Sequence, residues 1–151
     1  MCRESLGRLN IDAAAGRLLA EGDMQADHWM LIGMLNEKCD DPASAAAAYR
    51  HALSLNSVQP VAANNLAMLL RHTDPDEALR LARIAAADEG PNRASFLDTL
   101  AAVHEQRGEL QSALDSARKA AELAPGSTAI QSRLTRLKAA SGESQSSAGG
   151  D

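Results

Sequence analysis

The chain has 151 residues and a formal charge of −5, with 20 Asp and Glu side chains against 15 Lys and Arg. Nucleic-acid binding needs clustered positive charge, and the basic cluster Arg133, Arg136 and Lys138 is short, so no nucleic-acid partner is expected. No apolar run approaches the roughly 20 residues that span a bilayer, which argues against membrane insertion.

Only Trp29, Tyr49 and Phe96 are aromatic, while Ala, Leu, Arg and Glu are abundant. That balance predicts an all-α chain whose helices approach closely over small side chains. Residues 1–7 lack periodicity and are expected to fray. Across residues 8–22, Ile11, Ala14, Ala15, Leu18 and Leu19 share one helical face. Glu21-Gly22-Asp23 ends that helix, with Asp23 the expected cap of the next. The following helix carries Trp29, Ile32, Gly33 and Asn36 on one side and runs to Cys39. Asp41 and Pro42 supply a cap and a first-turn proline for a helix reaching Leu55, marked by Ala45, Tyr49 and Ala52. Residues 56–59 form a turn, and Pro60 opens the next helix.

The same marks recur at a spacing of about 34 residues, a period known for helical hairpin arrays. Ala63, Leu66, Ala67 and Leu70 repeat the first-helix set, then Leu97, Leu100, Ala101 and His104. Ala113, Ala117 and Ala120 repeat the second-helix set. The second repeat is one residue short at its internal turn, where Asp74, Pro75 and Glu77 make a capping box, so its marks move to Ala78, Ala82 and Ala85. Register returns at Pro91, midway between Ser57 and Pro125. The third repeat opens at Asn92 and turns at Gly108-Glu109. Thr128 and Gln131 predict a last capping box, before a helix with Ile130, Leu134 and Leu137 on one face and Arg133, Arg136 and Lys138 on a wet one.

The pattern Trp-x2-Ile-Gly-x2-Asn, then Ala-x3-Tyr-x2-Ala, resembles the tetratricopeptide repeat over residues 11–140. The resemblance implies a right-handed superhelix of antiparallel helical hairpins, an α-solenoid. Three full repeats would lie at residues 26–58, 60–91 and 92–126, followed by a closing helix at 127–140 and a low-complexity, disordered tail at 141–151. Gly33, Ala67 and Ala101 would sit at the helix crossings, faced by Ala45, Ala78 and Ala113. His104, Ala82 and Ala117 depart from the usual larger residues and suggest looser packing in the last two repeats. Ile11, Ala15 and Leu18 stand one full period before Ala45, Tyr49 and Ala52. Residues 8–22 are therefore either half of a repeat from a longer array or a native capping helix.

In this family the first helices line a concave groove, which makes the chain a non-catalytic scaffold or adaptor for a protein or peptide. Offsets of three, four and three keep residues in one stripe. Such stripes comprise Asp27, Met30, Met34 and Glu37 with Leu31 beside them; Val61, Asn64, Met68 and Arg71 with Asn65; and Ser95, Asp98, Ala102 and Glu105 with Thr99. The methionines suit an irregular apolar partner, unless the N-terminal helix covers Met30 and Met34. Asn64 and Asn65 could bond a bound main chain. The family's clamp for a C-terminal carboxylate needs cationic residues and asparagines where this chain has Met30, Met34, Asn65, Ser95 and Thr99. Only Asn65 agrees, so acidic tails are not the expected ligand. Asp98, Glu105 and Glu37 favour a neutral or basic segment with apolar anchors.

Homo-oligomerisation through the half-repeat is the alternative. Asn64-Asn65-Leu66-Ala67 and Leu97-Asp98-Thr99-Leu100-Ala101 resemble openings in bacterial arrays, some serving envelope polysaccharide assembly or export. Cys2 and Cys39 lack metal or redox spacing, and the N-terminus does not read as a signal peptide. A reducing, cytoplasmic setting is the default, and the periplasm follows if the chain is a fragment of an exported protein. His28, His51, His72 and His104 lie on separate helices without metal spacing. Ser95 lacks a histidine base, and there is no glycine-rich phosphate loop. No enzyme activity, metal or cofactor is expected.

Overall fold

The computed structural model of the chain describes residues 25–142. Expectations for residues 1–24, Asp23 included, and for the tail from residue 143 lie outside them. Among the described residues seven helices follow in order: α1 (Ala26–Lys38), α2 (Pro42–Leu55), α3 (Pro60–Leu70), α4 (Pro75–Ala86), α5 (Arg93–Gln106), α6 (Leu110–Leu123) and α7 (Thr128–Ser141). They pair as three antiparallel hairpins, α1–α2, α3–α4 and α5–α6, with α7 packed on α6. The described residues form an all-α hairpin solenoid.

Local chemistry sets most of the boundaries. Asp41 accepts the Ser44 N–H at 3.1 Å and its hydroxyl at 2.9 Å, and Asp74 accepts the Glu77 N–H at 3.0 Å. Each satisfies a helix-end donor just before a first-turn proline. Gly108 holds φ at +75° in the third internal turn, a conformation glycine adopts without a Cβ penalty. At two ends the caps differ from expectation. α1 starts after Gln25, whose N–H donates to His28 Nδ1 at 3.2 Å. α7 has Ser127 at its cap without a side-chain bond. Gln131 reaches back to the Pro125 carbonyl at 3.4 Å instead of closing a box with Thr128.

Two apolar clusters hold the hairpins. One runs from Trp29 through α2, α3 and α4 to Phe96 and Val103. The other joins Leu97 and Ala101 to α6 and α7. Leu66, Leu81, Leu114 and Leu137 are wholly buried, each contributing about 1.5–3 kcal/mol over exposure. Alanines fill the tight crossings: Ala45, Ala67, Ala78, Ala101 and Ala113 are all buried. Gly33 is faced by the Tyr49 ring, where sequence pairing predicted Ala45. α1 packs on α3 and α3 on α5, closer than the second helices come to one another. A stack tighter along its first helices is concave on that side.

Candidate functional site

A run of hydrogen bonds through Glu37 of α1, Tyr49 of α2 and Asn65 of α3 stitches the first hairpin to the second. Tyr49, buried in α2, donates its hydroxyl to Glu37 Oε2 of α1 at 2.5 Å. The tyrosine oxygen in turn accepts from Asn65 Nδ2 of α3 at 3.1 Å, and Asn65 Oδ1 accepts from Asn64 Nδ2 at 3.1 Å. Asn65 is thus engaged within the fold, while Asn64 Oδ1 is buried without a partner. Burial first, then the Glu37 bond, raises the Tyr49 pKa far above the ordinary phenol value, only partly opposed by Asn65.

Gln59 stands in the turn that the repeat spacing predicts before α3. It is buried and caps α3 by accepting the Ala62 N–H at 2.7 Å. Its amide donates to Asp27 Oδ1 at 3.3 Å and to Met30 Sδ at 2.8 Å. Met30 is consequently half-buried against the first cluster. Met34, 36 % exposed, and Leu31 are open to solvent. Met68 is half-buried, and its sulfur accepts from Arg71 Nη1 at 3.5 Å. Arg71 Nε also donates to His72 Nε2 at 2.9 Å.

At the far end the expectation of a free acidic surface needs correction. Asp98 Oδ1 accepts from Arg133 Nε at 2.7 Å, and Glu105 Oε2 from Arg133 Nη1 at 3.0 Å. Arg136 Nη2 lies 2.9 Å from both Glu105 oxygens. The face of α7 predicted to be wet therefore turns two of its cations onto α5. The signal was in the period: Arg133 and Arg136 stand one repeat after Thr99 and Ala102. Thr99, only 6 % exposed, lies beneath the surface.

Away from the groove, buried His104 meets Glu109 Oε2 at 2.5 Å through Nδ1. Glu109 Oε1 accepts from Arg107 Nε at 2.7 Å, and Arg107 also pairs with Asp76 of the preceding hairpin. Arg107, then His104, holds the Glu109 carboxyl below its ordinary range. Among the described residues no three His, Cys, Asp or Glu side chains gather as metal ligands, and no helix is long and apolar enough to cross a membrane.

No protein family and no characterised protein matches the sequence, but solved structures match the fold. MamA superposes with a TM-score of 0.77 at 17 % identity, over 93 % of this chain and 82 % of that one. PilF of Pseudomonas aeruginosa gives 0.75 at 22 % identity, over 94 % and 66 %. The first tetratricopeptide domain of RPAP3 (Spaghetti), bound to the HSP90 peptide SRMEEVD, gives 0.71 at 18 % identity, over 78 % and 94 %. Repeat length, hairpin order and these superpositions together show that the chain has the tetratricopeptide-repeat fold.

Proposed function

We propose that the chain is a protein-binding scaffold whose concave face holds a polypeptide segment of neutral charge with apolar anchors. The observation that carries this reading is the division of the groove. Met34 is exposed beside half-buried Met30 and Met68, whereas Asp98 and Glu105 are matched by Arg133 and Arg136. The apolar end offers area to a partner, and methionine adapts to its shape. The charged end is balanced internally, so a strongly basic partner finds no free counter-charge on Asp98 or Glu105. The HSP90 peptide SRMEEVD bound to the RPAP3 domain supports peptide binding by this fold. Its acidic sequence does not suit Met30, Met34 and Ser95 here.

Titration calorimetry with synthetic neutral peptides carrying Leu or Phe anchors tests the reading, against the same peptides with Arg or Glu at the anchor positions. Neutral apolar peptides are expected to bind, and Met34→Glu to weaken them about tenfold or more, the equivalent of roughly 1.4 kcal/mol. A preference for charged anchors, or binding indifferent to Met34→Glu, defeats the proposal.

A further inference from the structure

Arg50 of α2 and Arg80 of α4 share one carboxylate. Glu77 Oε2 accepts from Arg50 Nη2 at 3.1 Å, and Glu77 Oε1 lies 3.9 Å from Arg80 Nη2. These side chains border a cavity of about 260 Å³ between the two second helices. Its lining includes half-buried Leu53 and Ile84, with wholly buried Leu66 and Leu81 beneath. Both arginine side chains are more than half exposed. Stacking does not demand this lining. One hairpin later the positions of Arg80, Leu81 and Ile84 fall to Asp115, Ser116 and Lys119. There Ser116 donates its hydroxyl to the Ser112 carbonyl of its own helix at 2.9 Å. Aliphatic walls beside paired arginines are therefore a property of α2 and α4, not a by-product of the repeat.

We propose that this cavity is a second docking site, for a polypeptide segment that carries an aliphatic side chain next to an Asp or Glu carboxylate. Size decides against a small-molecule ligand. Pockets for those run from about 300 to 1,000 Å³, and this one has room only for side chains. Charge decides the neighbour. Two guanidinium groups against one carboxylate leave a local positive excess, in a chain whose net charge is −5. A second carboxylate above the cavity gives each arginine a partner of its own, through charge-assisted bonds. The aliphatic group meanwhile covers Leu53 and Ile84, removing apolar surface from water. The site lies on the second helices and is independent of the groove proposed above around Met34 and Met68.

Amide chemical-shift titration of the full chain with the end-blocked peptide Gly-Ser-Leu-Glu-Ser-Gly tests the proposal, against the same peptide with Ala for Leu or Gln for Glu. The parent peptide is expected to shift the amides of Arg50, Arg80 and Ile84. Either replacement should weaken it about tenfold or more, the loss of a buried aliphatic group or of a charged hydrogen bond. Arg80→Glu should weaken the parent peptide as much, with helicity and melting temperature showing that this exposed substitution leaves the fold intact. Met34→Glu should change nothing here, so this proposal and the groove reading fail separately. No saturable shift at these amides, indifference to Arg80→Glu, or equal binding of the Gln peptide overturns the proposal. Shifts on α1 that Met34→Glu removes assign the peptide to the concave face and overturn it too.

Discussion

Gly33 lies against the ring of Tyr49 so closely that a Cβ placed there would stand 2.6 Å from Cδ1 and closer still to Cε1. Neither α1 nor the buried ring can yield without displacing its neighbours. Gly33→Ala is therefore expected to destabilise by about 1–3 kcal/mol through overpacking, although alanine is the better helix former. Tyr49→Ala should cost about 3–5 kcal/mol by analogy with other buried aromatics. The double variant should lose less than the sum, because the new methyl enters the vacated space. Denaturant melts of the four proteins check this coupling, and strict additivity would mean that the two residues do not oppose each other. Later hairpins pair the corresponding positions as Ala67 with Ala82 and Ala101 with Ala117, all wholly buried.

Tyr49 is the chain's single tyrosine, so its titration can be followed without interference. Its folded pKa is raised above the ordinary 10.0. The native state thus keeps a proton that the unfolded chain gives up. Its contribution is whole below 10.0 and declines as pH rises beyond that value toward the folded pKa. Tyrosinate absorbance should appear only as the protein unfolds, and Tyr49→Phe should flatten the alkaline fall in stability. Reversible ionisation near the ordinary value with helicity intact would contradict this.

Arg133 faces two partly buried carboxylates, Asp98 and Glu105. Removing it as Arg133→Ala leaves those charges less compensated. The expected loss is about 1–2 kcal/mol, below the full strength of charged hydrogen bonds because the site is partly exposed. Raising salt from about 0.1 M to 1 M shortens the screening length from about 10 Å to 3 Å, so the gap between variant and wild type should narrow. A gap indifferent to salt would point to lost packing of the arginine stem.

Glu109 has a folded pKa lowered from 4.5, by Arg107 first and His104 second. Its contribution is present above 4.5 and is lost as pH falls through the depressed value. Glu109→Gln should be less stable than wild type at neutral pH, and the two should converge in acid. Melting curves across that range check the sign, and parallel pH profiles would refute it.

Much of the hairpin plan was legible because short-range chemistry and period agree. Asp41 before Pro42, Asp74 before Pro75 and the glycine at 108 announce turns locally, and the repeat spacing places each helix without tertiary knowledge. Contacts between helices were harder to read. Glu37 looks like a groove acid until the Tyr49 hydroxyl, brought over from the next helix, is seen to bond it. Gln59 looks like a turn residue until Asp27 and Met30 close around its amide. Arg133 and Arg136 resemble solvent residues on an isolated amphipathic helix, and only carrying the period into α7 aligns them with Thr99 and Ala102.

α5 belongs to both apolar clusters at once, giving Phe96 and Val103 to one and Leu97 and Ala101 to the other. During synthesis the upstream half cannot seal its interior until this helix has emerged, and the downstream half cannot begin its own without it. Unzipping started at either terminus must halt or propagate at the same place. α5 is thus the keystone of the array, the one helix whose opposite faces close the interiors of both lobes among the described residues.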